Sequence, residues 1–161
     1  MKVVINKCYG GFSLSPRAVK RLAELNGREC YFFKSSFDPN DPTATKYTPL
    51  TLAQAQADRL FFSAFDIPNP EEVIGPMTRD ANGLFRTYNL RYAEHALDNI
   101  PSKRDDPKLI QVVEELGGGH RTGASGQCAD LEIVEIPDGI DYEIEEYDGM
   151  EHVAESHRTW G

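Results

Sequence analysis

The stretch Lys7-Cys8-Tyr9-Gly10-Gly11-Phe12-Ser13-Leu14-Ser15 holds the residue types best suited to chemistry in this chain. It follows an apolar run, Lys2-Val3-Val4-Ile5-Asn6, and leads into Ser15-Pro16, a helix start. A strand, a glycine loop and a helix N-terminus in that order build an anion site. Backbone N–H groups point out of the first helical turn, and glycines let a ligand approach the main chain. Lys7 or Arg17 would add charge, and Tyr9 or Phe12 would stack on a ring. Ligand-binding residues are therefore expected at Lys7, Cys8, Tyr9, Gly10, Gly11, Phe12, Ser13, Ser15 and Arg17. The competing reading is a tight strand-to-helix turn whose aromatics cap the core. The pattern is neither G-x-x-x-x-G-K-[ST] nor G-x-G-x-x-G, so nucleoside triphosphate or dinucleotide chemistry of the standard kinds is unsupported.

Other candidates are weaker. Gly117-Gly118-Gly119 follows a helical stretch and reads as a helix stop, with His120 and Arg121 just after it within reach of a ligand. His152 and His157 are five apart, about 140° round a helix, so a regular helix face cannot bring both to one metal. Cys8 precedes glycines near a helix start, where a thiolate would be stabilised, but a buried small apolar role competes. Three cysteines, Cys8, Cys30 and Cys128, with no C-x-x-C pair argue against a disulfide framework and a zinc knuckle. No catalytic residue, metal or cofactor is assigned.

At 161 residues and 40% hydrophobic content, the chain has the size of one globular domain able to bury a core. No run reaches the roughly 18 apolar residues of a membrane span, and a secretory leader pattern is missing, so no membrane role and a cytoplasmic location are expected. The net charge of -9 is unevenly placed. Residues 1–34 carry seven Lys/Arg against two acids, whereas between Arg121 and Arg158 there are eleven acids and no Lys or Arg. That acidic stretch disfavours direct nucleic-acid binding, which rests on neutralising phosphates with cations. It suits a solvated face, a basic partner or mimicry of a polyanion.

The elements that must position these residues are well punctuated. Ser15 as N-cap, Pro16 at the first helical position, and Val19, Leu22 and Ala23 at helical spacing predict a helix ending at Asn26-Gly27. Cys30-Tyr31-Phe32-Phe33 reads as a buried strand, giving a β-loop-α-β opening that usually pairs parallel strands. Residues 35–50, with Pro39, Pro42 and Pro49, read as an irregular excursion that could serve as a lid. Thr51–Asp58 reads as a helical turn or two, Leu60–Phe65 as a core strand and residues 66–83 as loop; Leu84–Leu97 fits neither period. Asp106 and Pro107 open a helix whose face is Leu109, Ile110, Val112, Val113 and Leu116. Residues 131–136 and 140–147 read as a hairpin about Pro137-Asp138-Gly139. Asp148 and Glu151 resemble a capping box, and Met150, Val153, Ala154 and His157 a helical stripe, which predicts a short terminal helix with Trp160 as an anchor. The expected fold is a single α/β domain, residues 1–161, on a mixed sheet with the first strand central, helices 16–26 and 107–116 covering it and an acidic hairpin at one side.

The opening Val3–Ser15, the helix start Arg104-Asp105-Asp106-Pro107 with Val112–Gly117, and the ending Glu145–Trp160 resemble an uncharacterised accessory family of tailed bacteriophages and prophages. The likeness covers both termini and the 104–117 helix. It implies a phage setting, hence the host cytoplasm, and no specific activity. With the loop, it points to an accessory protein binding a small anionic, nucleotide-like ligand through Lys7–Ser15, with sequestration of a host immune signal as one use. The acidic segment would face solvent or another subunit, leaving a homo-oligomer open. Two rivals stand beside it: an acidic interaction module blocking a basic host protein, and a small nucleoside- or nucleotide-processing enzyme in which Asp66 or Glu94 works beside the loop.

Overall fold

The computed structural model describes residues 1–38, 41–58, 62–74, 90–97 and 103–156. Along the chain run β1 (Lys2–Asn6), α1 (Pro16–Leu25), β2 (Tyr31–Asp38), β3 (Asp41–Leu50), α2 (Leu52–Asp58), β4 (Ser63–Phe65) and α3 (Pro70–Ile74). They are followed by α4 (Leu90–His95), α5 (Pro107–Leu116), β5 (Gly119–His120), β6 (Asp130–Glu135), β7 (Tyr142–Tyr147) and β8 (Met150–Glu155). The expected mixture of helix and strand is present. The chain divides into two compact units, Met1–Leu22 with Pro101–Gly161, and Ala23–Ile100.

The first unit joins the two ends of the chain. β1 runs antiparallel to β6, with Lys2 opposite Glu135 and Asn6 opposite Leu131, and β5 lies on the other side of β6. Val3, Val4 and Ile5 are all buried, as a continuous apolar run predicts for a strand covered on both faces. The cover includes α5, whose Leu109, Val112 and Val113 are buried. α5 is locally determined: the Asp106 carboxylate accepts from the Lys108 N–H at 2.7 Å, and Gly117 ends the helix at φ 80°. Ala18, Val19 and Leu22 form the buried stripe of α1 in this unit. Arg21 and Gln111 both hydrogen-bond Glu115, holding its carboxyl down to about 2.

Four expectations are corrected. The first strand is an edge strand, and β6 is the central strand of its sheet, with β1 on one side and β5 on the other. β1 and β2 are not a parallel pair: β2 belongs to another sheet, and every observed strand pair is antiparallel. The hairpin turns at Asp148-Gly149, not at Pro137-Asp138-Gly139, with Tyr147 opposite Met150 and Tyr142 opposite Glu155. Asp148 (φ 50°) and Gly149 (φ 87°) both occupy the left-handed region, as the tightest two-residue hairpin turn requires. Accordingly Met150–Glu155 is a strand instead of the start of a terminal helix; His157 and Trp160 lie outside the described residues.

In the second unit the supposed excursion is a long hairpin, β2 with β3, and β4 pairs on the other side of β2. Pro42 and Pro49 fit because β3 is the edge strand, where a missing N–H costs least. Residues 66–83 are not all loop either. Pro70 takes the first position of α3, and just ahead of it Asn69 Nδ2 donates to the Glu72 carboxylate at 2.5 Å. The core gathers Phe33, Phe65, Ile74 and Ala96, with Tyr31, Tyr47, Ile67 and Tyr92 against it. Phe65 is fully buried and meets Tyr47 and Tyr92 edge to face, with ring centroids 5.3 and 5.5 Å away. Phe65→Ala is expected to cost about 3–5 kcal/mol in guanidinium chloride unfolding, the range for deleting a buried ring.

Candidate functional site

Asn6 is a polar residue with no exposed surface at the end of an apolar strand. Its Nδ2 donates to the carbonyls of Cys8 (2.7 Å) and Gly149 (2.6 Å), and its Oδ1 accepts from the Asp130 N–H at 2.8 Å. Its backbone N–H points away from β6 and reaches Glu151 Oε2 at 2.9 Å. Glu151 is itself only 6% exposed, and its Oε1 accepts from Arg104 Nη2 at 2.9 Å. The Arg104 guanidinium lies over the Phe12 ring, 3.2 Å from the centroid. Burial pulls that guanidinium below its usual range while the Glu151 carboxylate opposes the shift. Its Nη1 is buried without a hydrogen-bond partner, and the face of Phe12 offsets part of that loss. The Arg104 carbonyl meanwhile accepts from the Val4 N–H at 2.9 Å. The outward N–H groups of Val4 and Asn6 on an edge strand are thereby closed off.

The loop that follows is pinned along its length. Ser13, Leu14 and Ser15 lie against Gly123–Gly126: Gly126 N–H donates to the Ser13 carbonyl at 2.9 Å, Leu14 bridges Ser125, and Ser15 N–H donates to the Ala124 carbonyl at 2.8 Å. The Ser15 hydroxyl donates to the Gly123 carbonyl at 2.8 Å and accepts from the Ala18 N–H at 3.2 Å. Ser15 is thus the expected N-cap, and its own oxygen takes one of the donors an anion would seek. A Cβ on Gly10 would collide with the Cys128 carbonyl, and one on Gly149 would stand 2.5 Å from the Gly11 amide nitrogen. These glycines serve close backbone packing. Of the nine residues expected to bind, Lys7, Tyr9, Gly10 and Arg17 are exposed, Cys8, Gly11, Phe12 and Ser13 are half-buried and Ser15 is buried.

Sequence reasoning placed residues 140–147 in an acidic hairpin but missed that their partner strand is β8, which completes the surface beside this loop. Alternation along β7 puts Glu143, Glu145 and Tyr147 on one face, and pairing adds Met150, His152 and Ala154 from β8. The Glu145–His152 hydrogen bond of 2.7 Å joins cross-strand neighbours on that face. Tyr147 is 77% exposed, and Tyr9, on the loop whose backbone Gly149 touches, is 64% exposed. The signal available in sequence was the Asp-Gly dipeptide at 148–149 with a tyrosine just before it.

The remaining candidates fall elsewhere. His120 pairs with Asp130 in β5–β6, and Arg121 adopts φ 59°. In the second unit Asp66 receives Arg28 Nε at 2.9 Å and contacts His95 Nδ1 at 2.8 Å, while the Glu94 carbonyl accepts from Arg28 Nη2 at 2.6 Å. Burial pushes the Asp66 carboxyl up, but the bonds from His95 and Arg28 together hold it below its ordinary value. Glu94 thus contributes its backbone to this knot. Among the described residues no group of three His, Cys, Asp or Glu side chains could hold a metal, and no helix is long and apolar enough to cross a membrane.

Asn6→Ala is expected to destabilise the protein by about 3 kcal/mol in urea unfolding, since it strands the Cys8 and Gly149 carbonyls and the Asp130 N–H. Asp66 contributes stability that is complete above the ordinary value of 3.8 and is lost as pH falls through its lowered folded value. Urea unfolding across that acid range should show Asp66→Asn with a shallower loss of stability on acidification than the unaltered protein. No family model, curated protein or solved structure matches this chain.

Proposed function

We propose that this protein is an acidic interaction module that docks a basic protein segment on the β7–β8 face beside the N-terminal loop. The observation that carries this reading is Tyr147, 77% exposed and sharing its strand face with Glu143 and Glu145. An exposed aromatic ring is costly to leave in water and attracts the ammonium or guanidinium of Lys and Arg. Carboxylates on the same face add charge-assisted hydrogen bonds and steer a cationic partner toward it. Support also comes from the whole segment between Arg121 and Arg158, which carries eleven acids and no Lys or Arg to repel such a partner. The resemblance of the chain ends to a phage and prophage accessory family supports a bacterial host factor as that partner, met in the host cytoplasm.

The small-anion reading keeps one observation in its favour: Lys7, Tyr9 and Arg17 are exposed on or next to the loop. Against it, the first turn of α1 is capped by Ser15 and the glycines answer to packing. Calorimetric titration separates the two. An Arg/Lys-rich peptide should bind, weaken with added salt, and lose about tenfold in affinity with Tyr147→Ala, while Lys7→Glu leaves it unchanged or tighter. Stoichiometric binding of a nucleotide that Lys7→Glu abolishes, with no peptide binding, would replace this reading by the anion one.

A further inference from the structure

Cys8 and Cys128 are 120 positions apart in sequence and meet in the first unit. The Cys8 thiol donates to the Cys128 carbonyl at 2.9 Å and stands 3.4 Å from Asn6 Oδ1. The Cys128 side chain faces the same turn, because a Cβ built on Gly10 would lie 2.5 Å from the Cys128 Cβ. Two bonds separate each Cα from its contacting atom, so the 2.9 Å contact keeps the two Cα atoms within about 8 Å, a ceiling that contains the ~4.4–6.8 Å span of a disulfide. Cys128 is exposed and Cys8 half-buried, and neither is in a disulfide.

We propose that Cys8 and Cys128 are a redox-sensitive dithiol that closes to a disulfide by exchange with a low-molecular-weight disulfide. The exposed Cys128 thiolate attacks one sulfur of the incoming disulfide, whose S–S bond breaks and releases one thiol. The Cys8 thiol gives up its proton to solvent and turns from the Cys128 carbonyl to that residue's sulfur. Its attack displaces the second thiol. Two protein thiols are oxidised, and one small disulfide is reduced to two thiols. The new bond ties the loop that carries Tyr9 to the segment ahead of β6. Cys8 directly precedes Tyr9, so closure would restrict the more exposed part of the loop. This inference stands apart from the binding reading, because it concerns only the contact between the two cysteines.

The test is incubation of the folded protein with oxidised glutathione, acid quenching, and intact-mass and non-reducing peptide analysis. The unaltered chain should lose two of its three titratable thiols, keep no glutathione, weigh less by two hydrogen atoms and yield a Cys8–Cys128 linked peptide. Cys8→Ser, whose hydroxyl can still donate to the Cys128 carbonyl, should instead retain glutathione on Cys128. Cys30→Ser should behave as the unaltered chain does. Glutathione retained on Cys128 of the unaltered chain, or a Cys8 that stays titratable after oxidation, would overturn the proposal. Should Cys8→Ser not fold, the linked peptide in the unaltered chain decides alone.

Discussion

The first unit depends on a buried asparagine that cannot be satisfied by its own neighbourhood. β1 brings Asn6 to the end of an apolar run with no exposed surface, where three side-chain hydrogen bonds must be found inside the protein. They come from Cys8, two residues on, from Asp130 on β6 and from Gly149 in the hairpin turn. A fourth bond, from its backbone, goes to Glu151 on β8. Apolar burial alone would tolerate several arrangements of two strand ends and a hairpin. The direction of these bonds selects one. Arg104 continues the same selection by neutralising Glu151, covering Phe12 and accepting from Val4. A charge this deep is costly unless paired, so Glu151 and Arg104 hold each other in place.

That constraint explains the layout of the surface. Because Gly149 packs on the backbone of Tyr9 and Gly11, the hairpin turn is tied to the N-terminal loop. The chemistry that made the loop look like an anion cradle, glycines before a helix start, is used for this close approach and for the strands of backbone along Gly123–Gly126. What stays exposed is the face of β7 and β8 that carries Glu143, Glu145 and Tyr147. The Cys8–Cys128 contact lies at the root of the same loop, where a covalent bond would reinforce what the Asn6 bonds already specify.

The legible parts of the sequence were those decided locally. α1 and α5 followed from Ser15 and Asp106 as caps, prolines at the first helical position and apolar stripes, all contained within a dozen residues. Strand existence was legible for β1, β6 and β7 through apolar runs and alternation. Strand pairing was not, since nothing within residues 30–50 says that β2 turns back on β3 instead of running beside β1. The prolines there argued for a loop, and they are tolerated only because β3 is an edge. The C-terminal error has a more specific cause: Asp-Gly occurs at both 138–139 and 148–149, and Glu151 mimics a helix cap. The left-handed pair Asp148-Gly149 and the demand of Asn6 for Glu151 and Gly149 settle the segment as a strand. The buried role of Asn6 had a faint trace, an amide ending an otherwise apolar run. Apart from Cys8, its partners Asp130, Gly149 and Glu151 lie more than 120 residues away and left none.

The most direct measurement of this account is native-state hydrogen exchange at the backbone amides of Asn6, Lys7 and Asp130, the last two of which bond the Asp130 carbonyl and Asn6 Oδ1. If the buried asparagine joins β1, β6 and β8 into one cooperative piece, all three amides open with the same free energy as the β6 interior, and Glu151→Gln lowers them together. If the Asn6 amide instead opens at low cost, with the β8 amides, while Asp130 and the interior of β6 keep full protection, the hairpin is an appendage and the central claim fails.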